Sequence, residues 1–191
     1  SLAKVFIDKR DQGIWNTYKA KDILDGKKAN ETAYVDRLTP TSFGPETKLP
    51  NTGAILALKG DPQRGKQQAG RCYICHKVGS VGVEFGPTLA GWGNGKDRET
   101  ILKAILDPSA ELAHGYEGTE LLVKGGKRIQ GFVQAEGDPL VIRVFGGEDL
   151  VIAAKDVRSR KKMSSSLMAP ASQLGLDAQQ IRDVVEYLKL N

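Results

Sequence analysis

Both cysteines of this 191-residue chain, Cys72 and Cys75, sit three positions apart in "GRCYICHKVG". A pair that close cannot staple distant segments together, so a hydrophobic core must hold the fold. The length suffices for one full domain or a domain with a smaller module. A hydrophobic fraction of 40% and a charged fraction of 27% are those of an ordinary globular protein. The same stretch holds His76, one of only two histidines. A Cys-x-x-Cys pair serves three chemistries: zinc binding, thiol–disulfide exchange and covalent attachment of a c-type haem.

The surrounding residues separate these. A structural zinc site wants four Cys or His ligands, and outside positions 72–76 the sequence offers only His114. A thioredoxin-type pair wants a βαβ setting. Here "GDPQRGKQQAG" precedes the pair, with Asp61 placed as N-cap and Pro62 at the first helical position. The third chemistry fits the spacing. On a short helix Cys72 and Cys75 share a face and reach one flat partner, and His76 follows as a ligand to its iron. One covalently attached haem c is therefore the expected cofactor, with His76 on the metal. Candidates for the sixth position are Met168 in the loop "SSSLMAPAS", Met163 after the basic run "RSRKK", and His114 in "AELAHGYEG", or the position is open. Met168 is the preferred second metal ligand, because a loop thioether is free to turn toward iron. A ligating imidazole usually gives its other nitrogen to a carbonyl. Pro87 in "FGPTLAGWG" offers a rigid one.

Along the chain, residues 1–59 read as an N-terminal extension or linker arm, with a short helix at 18–28 and a polar, turn-rich loop at 38–53. Residues 60–191 read as the haem-carrying domain. Helices are expected leading into Cys72, over 96–108, and over 176–190. The last is marked by an Asp177–Gln180 capping box and by Ile181, Val184, Val185 and Leu188 on one stripe. Between the last two, residues 119–157 change to short β-branched runs punctuated by Gly125-Gly126, Gly137-Asp138-Pro139 and Gly146-Gly147. That is hairpin punctuation, and it predicts about four antiparallel strands in an insertion at about 117–161. No apolar run approaches membrane-spanning length, so the chain is not expected to be membrane-embedded. The opening "SLAKVFIDKRDQ" carries no signal-peptide pattern, which leaves export open. The net charge of +5 is spread without a basic cluster interleaved with aromatics, so nucleic acid is not expected as a partner.

Taken together, "GDPQRGK", "CYICH", "GPTLAGWG", the Met loop and a terminal helix ending "VVEYLKL" resemble the class I cytochrome c family. With "ILDPSAELAHGYEG" and "SSLMAP" the chain looks closest to haem-binding domains of planctomycete and verrucomicrobial type, often fused to periplasmic dehydrogenase-like or repeat domains. The resemblance covers about residues 58–191. It implies a mainly α cytochrome c fold with a small inserted antiparallel β module, α+β overall. It implies Cys72 and Cys75 as thioether sites, His76 and Met168 as axial ligands, Pro87 as the carbonyl partner of His76, and Leu89 against the haem. Gly65 and Tyr187 match the crossing of the first and last helices. Trp92 and Arg98 are candidates to bond the haem propionates. Two departures stand out: the stretch between Gly65 and Cys72 is one residue shorter than usual, with Ala69 where an aromatic often packs, and the Met loop reads "LMAP" rather than Met-Pro.

The expected function is one-electron transfer, an electron carrier rather than an enzyme. Its partner would be a redox protein, such as a fused or associated dehydrogenase, in the periplasm or another extracytoplasmic space. The basic run "KDVRSRKK" (155–162) is a candidate docking rim. The alternative is a haem-based ligand sensor with a labile sixth ligand. A peroxidase-like enzyme ranks last, since the chain lacks a convincing distal His/Arg pair.

Overall fold

The computed structural model describes residues 46–191. The helix expected at 18–28 and the first part of the loop at 38–53 lie outside the described residues. Four α-helices occur among those described: α1 (Thr52–Ala57), α2 (Pro62–Gln68), α3 (Arg98–Leu106) and α4 (Ala178–Lys189). Each begins on a side chain that accepts from an otherwise orphaned backbone N–H: Asn51, Asp61, Asp97 and Asp177 respectively. At Asp177 the capping box is complete, with Gln180 returning a bond to the cap's own N–H. Helix α1 lies partly in the stretch that the sequence presents as polar loop. Only its cap and Ile55, completely buried, distinguish it.

The helices enclose one core. Ile181, Val184, Val185 and Leu188 of α4 meet Ile101, Leu102 and Ile105 of α3 and Ile55 of α1. Helix α2 crosses α4 at Gly65. A Cβ there would run into the carbonyl of Asp183 and lie 2.8 Å from Cβ of Tyr187, so only glycine lets the backbones come this close. The crossing is locked by Asp183, whose buried carboxylate accepts from Asp61 N, from Gln179 Nε2 and from Arg64 Nε and Nη2 at 2.7–3.0 Å. Burial works to raise the Asp183 pKa, but these hydrogen bonds, that from Arg64 foremost, hold it below the usual carboxylate range.

The remainder is a five-stranded antiparallel sheet in the order β6-β5-β4-β3-β7. Its strands are β3 (Thr119–Val123), β4 (Arg128–Ala135), β5 (Leu140–Val144), β6 (Glu148–Ile152) and β7 (Val157–Lys162). A separate two-stranded hairpin joins β1 (Lys77–Val78) to β2 (Val81–Gly82). The register sets Leu121 opposite Ile129 and Gly131 opposite Val144, which gathers the buried aliphatic residues on one face. Phe132, opposite Arg143, points to the other face.

The expectation of a mainly α cytochrome c fold is overturned. The helices are short, six to twelve residues, while the sheet has five strands and not four. Strand β4 alone runs for eight residues and pairs on both sides. The chain is α+β. The fifth strand is "VRSRKK", a basic run that reads as a docking rim or as a charged, solvated strand beyond the four expected; as an edge strand it needs only backbone pairing with β3.

Candidate functional site

Helix α2 runs directly into a 3-10 helix, Ala69–Ile74, which presents Cys72. Ala69, at the join, is fully buried. The amides of Cys75 and His76 both donate to Cys72 O, at 3.1 and 2.8 Å, so the motif is one tight turn. It is tied to the last helix by the Tyr73 and Tyr187 hydroxyls, 3.1 Å apart. The β1–β2 hairpin then folds the chain back along the motif. Val83 N donates to Tyr73 O, Phe85 N and Gly86 N donate to Cys75 O, and Leu89 N donates to Lys77 O.

This return places Gly86 flat against the His76 ring. A Cβ on Gly86 would lie 2.7 Å from Cε1 and 2.9 Å from Nδ1, so the ring is held at a distance that only glycine permits. The next residue supplies the orienting bond: His76 Nδ1 lies 2.7 Å from Pro87 O. A carbonyl can only accept, so Nδ1 carries the proton and Nε2 keeps its lone pair. Burial lowers the His76 pKa, partly opposed by the Pro87 bond, which favours the neutral ring. Among the described residues Nε2 has no hydrogen-bond partner.

Both thiols are free and partly buried, and burial pushes each pKa up to about 11. They are protonated at neutral pH, the reverse of the depressed thiolates that carry out disulfide exchange. The described residues contain no group of three or more His, Cys, Asp or Glu side chains arranged to hold a metal ion. The two cysteines have different neighbours. Cys72 packs on the helical core. Cys75 packs on a second cluster built around Phe85, Phe132 and Leu167, with Met163 and Phe145 at its edge.

The remaining candidates disperse. Leu89 is buried in the helical core, and Trp92 packs against it under Lys96 Nζ, 5.0 Å from the ring centroid. Arg98 is committed to Glu186 through two hydrogen bonds of 2.8 and 2.6 Å. The His114 side chain is fully exposed, with Nδ1 3.7 Å from Glu117. Met163 follows β7 into the cluster that holds Cys75. Met168 is half-buried; in sequence it lies one residue after Leu167, which belongs to that cluster, and three before Ala171, which belongs to the helical core. The basic run forms edge strand β7, exposed from Arg158 onward, with Arg160 closed on Glu136 at 2.6–2.7 Å.

Sequence reasoning missed the aromatic cluster. Phe85 meets Phe132 at 4.8 Å and Phe145 at 5.8 Å, and Tyr116 meets Phe132 at 5.3 Å. The legible part of this signal was Phe85, immediately before Gly86 and Pro87. Its partners are 47 and 60 positions away, Phe132 in strand β4 and Phe145 in the turn that follows β5, and nothing local names them. No helix among the described residues is long and apolar enough to cross a membrane. No family model matches the chain, and no curated protein matches it.

Proposed function

We propose that this chain carries one haem c, bound covalently through Cys72 and Cys75 with His76 and Met168 as axial ligands, and transfers single electrons in an extracytoplasmic compartment. The observation that carries the reading is the His76 imidazole. It is buried against Gly86 and fixed in one tautomer by Pro87, with its lone-pair nitrogen left without a partner among the described residues, one residue from a pair of protonated thiols. That is the donor set that a covalently held haem requires.

When bound, the group supplies a reversible ferric–ferrous couple, which a thioether ligand shifts toward the ferrous state. The chain's own residues supply the rest. Cys72 and Cys75 would hold the group by thioether bonds to its two vinyl groups, an addition in which each thiol proton would stay on the former vinyl carbon and no oxidant would be needed. Pro87 O keeps the proton on Nδ1 and so keeps Nε2 available as a donor. Gly86 keeps the ring from rotating. With His76 and Met168 both held on the iron, no substrate would need to bind, and the protein would act as a carrier. The exposed cations of β7, whose C-terminal end leads to Met163 beside the Cys75 cluster, suit docking of an acidic redox partner.

The full chain, exported from cells that possess c-type maturation enzymes, should retain one haem through acid–organic extraction. Its spectrum should be low-spin, and the reduced protein should not bind carbon monoxide. Met168→Ala should abolish the low-spin ferric form while His114→Ala leaves it intact. Absence of covalent haem from the wild-type chain would overturn the proposal. Rapid carbon monoxide binding by the reduced wild type would instead make the domain a ligand sensor.

A further inference from the structure

The motif and the Met loop share a feature that neither shows alone: each crosses from one hydrophobic cluster to the other. Cys72 packs on the helical core and Cys75, three residues on, packs on the aromatic cluster. Leu167 is buried in the aromatic cluster and Ala171, four residues on, in the helical core. His76 lies immediately after the first crossing and Met168 within the second. Of the seven other side chains in the Cys75 cluster, Phe132, Phe145, Met163 and Leu167 come from the sheet, from its β5–β6 turn or from the segment that leaves it.

We propose that the seam between these two clusters is the haem-binding cleft, and that the aromatic face of the sheet is one of its walls. This rests on the haem reading above and extends it. The sheet becomes part of the cofactor site rather than an appendage to a helical carrier. Phe132 reaches the seam because it alternates away from the aliphatic face of β4 and stacks on Phe85, whose amide bonds to the Cys75 carbonyl. A flat apolar group anchored to Cys72 on one side and Cys75 on the other touches both clusters at once. Its attachment then clasps the helical half to the sheet half, and the free energy of binding is shared by both.

Hydrogen exchange of the full chain, with and without attached haem, reads this directly. Attachment should slow amide exchange about tenfold or more in β4 and β5 as well as in α2 and α4. Slowing confined to the helices would overturn the sheet-wall proposal while leaving the haem reading intact. A wild-type chain that takes up no covalent haem would instead overturn the haem reading, and this inference with it. A second measurement needs no haem. In Phe145→Ala, alkylation of Cys75 should quicken several-fold with Cys72 unchanged, and Phe145→Leu should restore most of the protection. Equal rates at both cysteines in all three proteins would place Cys75 outside the cluster and sink the proposal. In the haem-loaded protein, Phe145→Ala should shift the reduction potential by opening that wall to water, and an unchanged potential counts against it.

Discussion

In the helical half, Arg64 reaches Asp183 across 119 positions of sequence, and Arg98 reaches Glu186 across 88. In the sheet, Arg143 and Asp149 are six apart, and Arg128 and Glu120 eight. The distances are alike, 2.7–2.8 Å. The surroundings are not. The Asp183 side chain is 3% exposed and that of Glu186 14%, whereas Arg143 and Asp149 are 25% and 40% exposed. A pair near water exchanges one good solvation for another and contributes little. A buried carboxylate that satisfies backbone and side-chain donors from a distant helix cannot be removed without leaving those donors unpaired. The helical half is therefore closed over its apolar core by a few polar contacts between residues far apart in sequence, and the sheet by register and apolar packing, with its ion pairs as trim.

Substitutions can break or sharpen that contrast. The largest effect is expected at Asp183→Ala, which strips an acceptor from Asp61 N, Gln179 and Arg64. Unfolding by urea should show a loss of about 3 kcal/mol, and a loss below about 1 kcal/mol would put this network on a par with the surface pairs. Gly65→Ala should follow with about 2 kcal/mol, because the Cβ meets backbone that can yield only by parting α2 from α4. Its thermal midpoint should fall accordingly.

Acid gives a third, smaller test. Hydrogen bonding to Arg98, aided by Arg182, holds the Glu186 pKa down to about 2 from an ordinary 4.5. Its folded-state pKa lies below its unfolded value, so the stability it contributes is complete above about pH 4.5 and is lost as pH falls toward 2. Glu186→Gln should flatten the acid limb of the stability profile in that window, and an unchanged limb would show the pair to be solvent-screened. The smallest effect belongs to Arg143→Ala in the sheet. It should cost under about 1 kcal/mol in the same urea titration. A loss equal to that of Asp183→Ala would erase the distinction between the halves.

Legibility follows the same division. The caps at Asp61 and Asp177 were readable because a cap is a contact within three residues, and those helices begin where the side chains say; Asp97 caps α3 in the same way but is not among the caps expected from the sequence. The paired glycines announced hairpins for a similar reason. Helix α1 was hidden because six residues with one buried side chain carry no period. Strand β7 was legible only as a charged, solvated run beyond the expected sheet, because an edge strand requires no hydrophobic alternation. Asp183 read as one more polar residue on an amphipathic helix. Its importance arises only when Gly65 lets α2 lie against it.

At the candidate site, the residue types and their spacing in Cys72–His76, with Gly86 and Pro87 downstream, are matters of sequence alone, because both ring contacts are made within about ten residues of the imidazole. Tertiary structure decided what surrounds them. Cys72 faces helices and Cys75 faces phenylalanines because the sheet's register turns Phe132 toward Phe85. Register depends on pairing between strands that are remote from the motif, and local chemistry around the cysteines contains no trace of it.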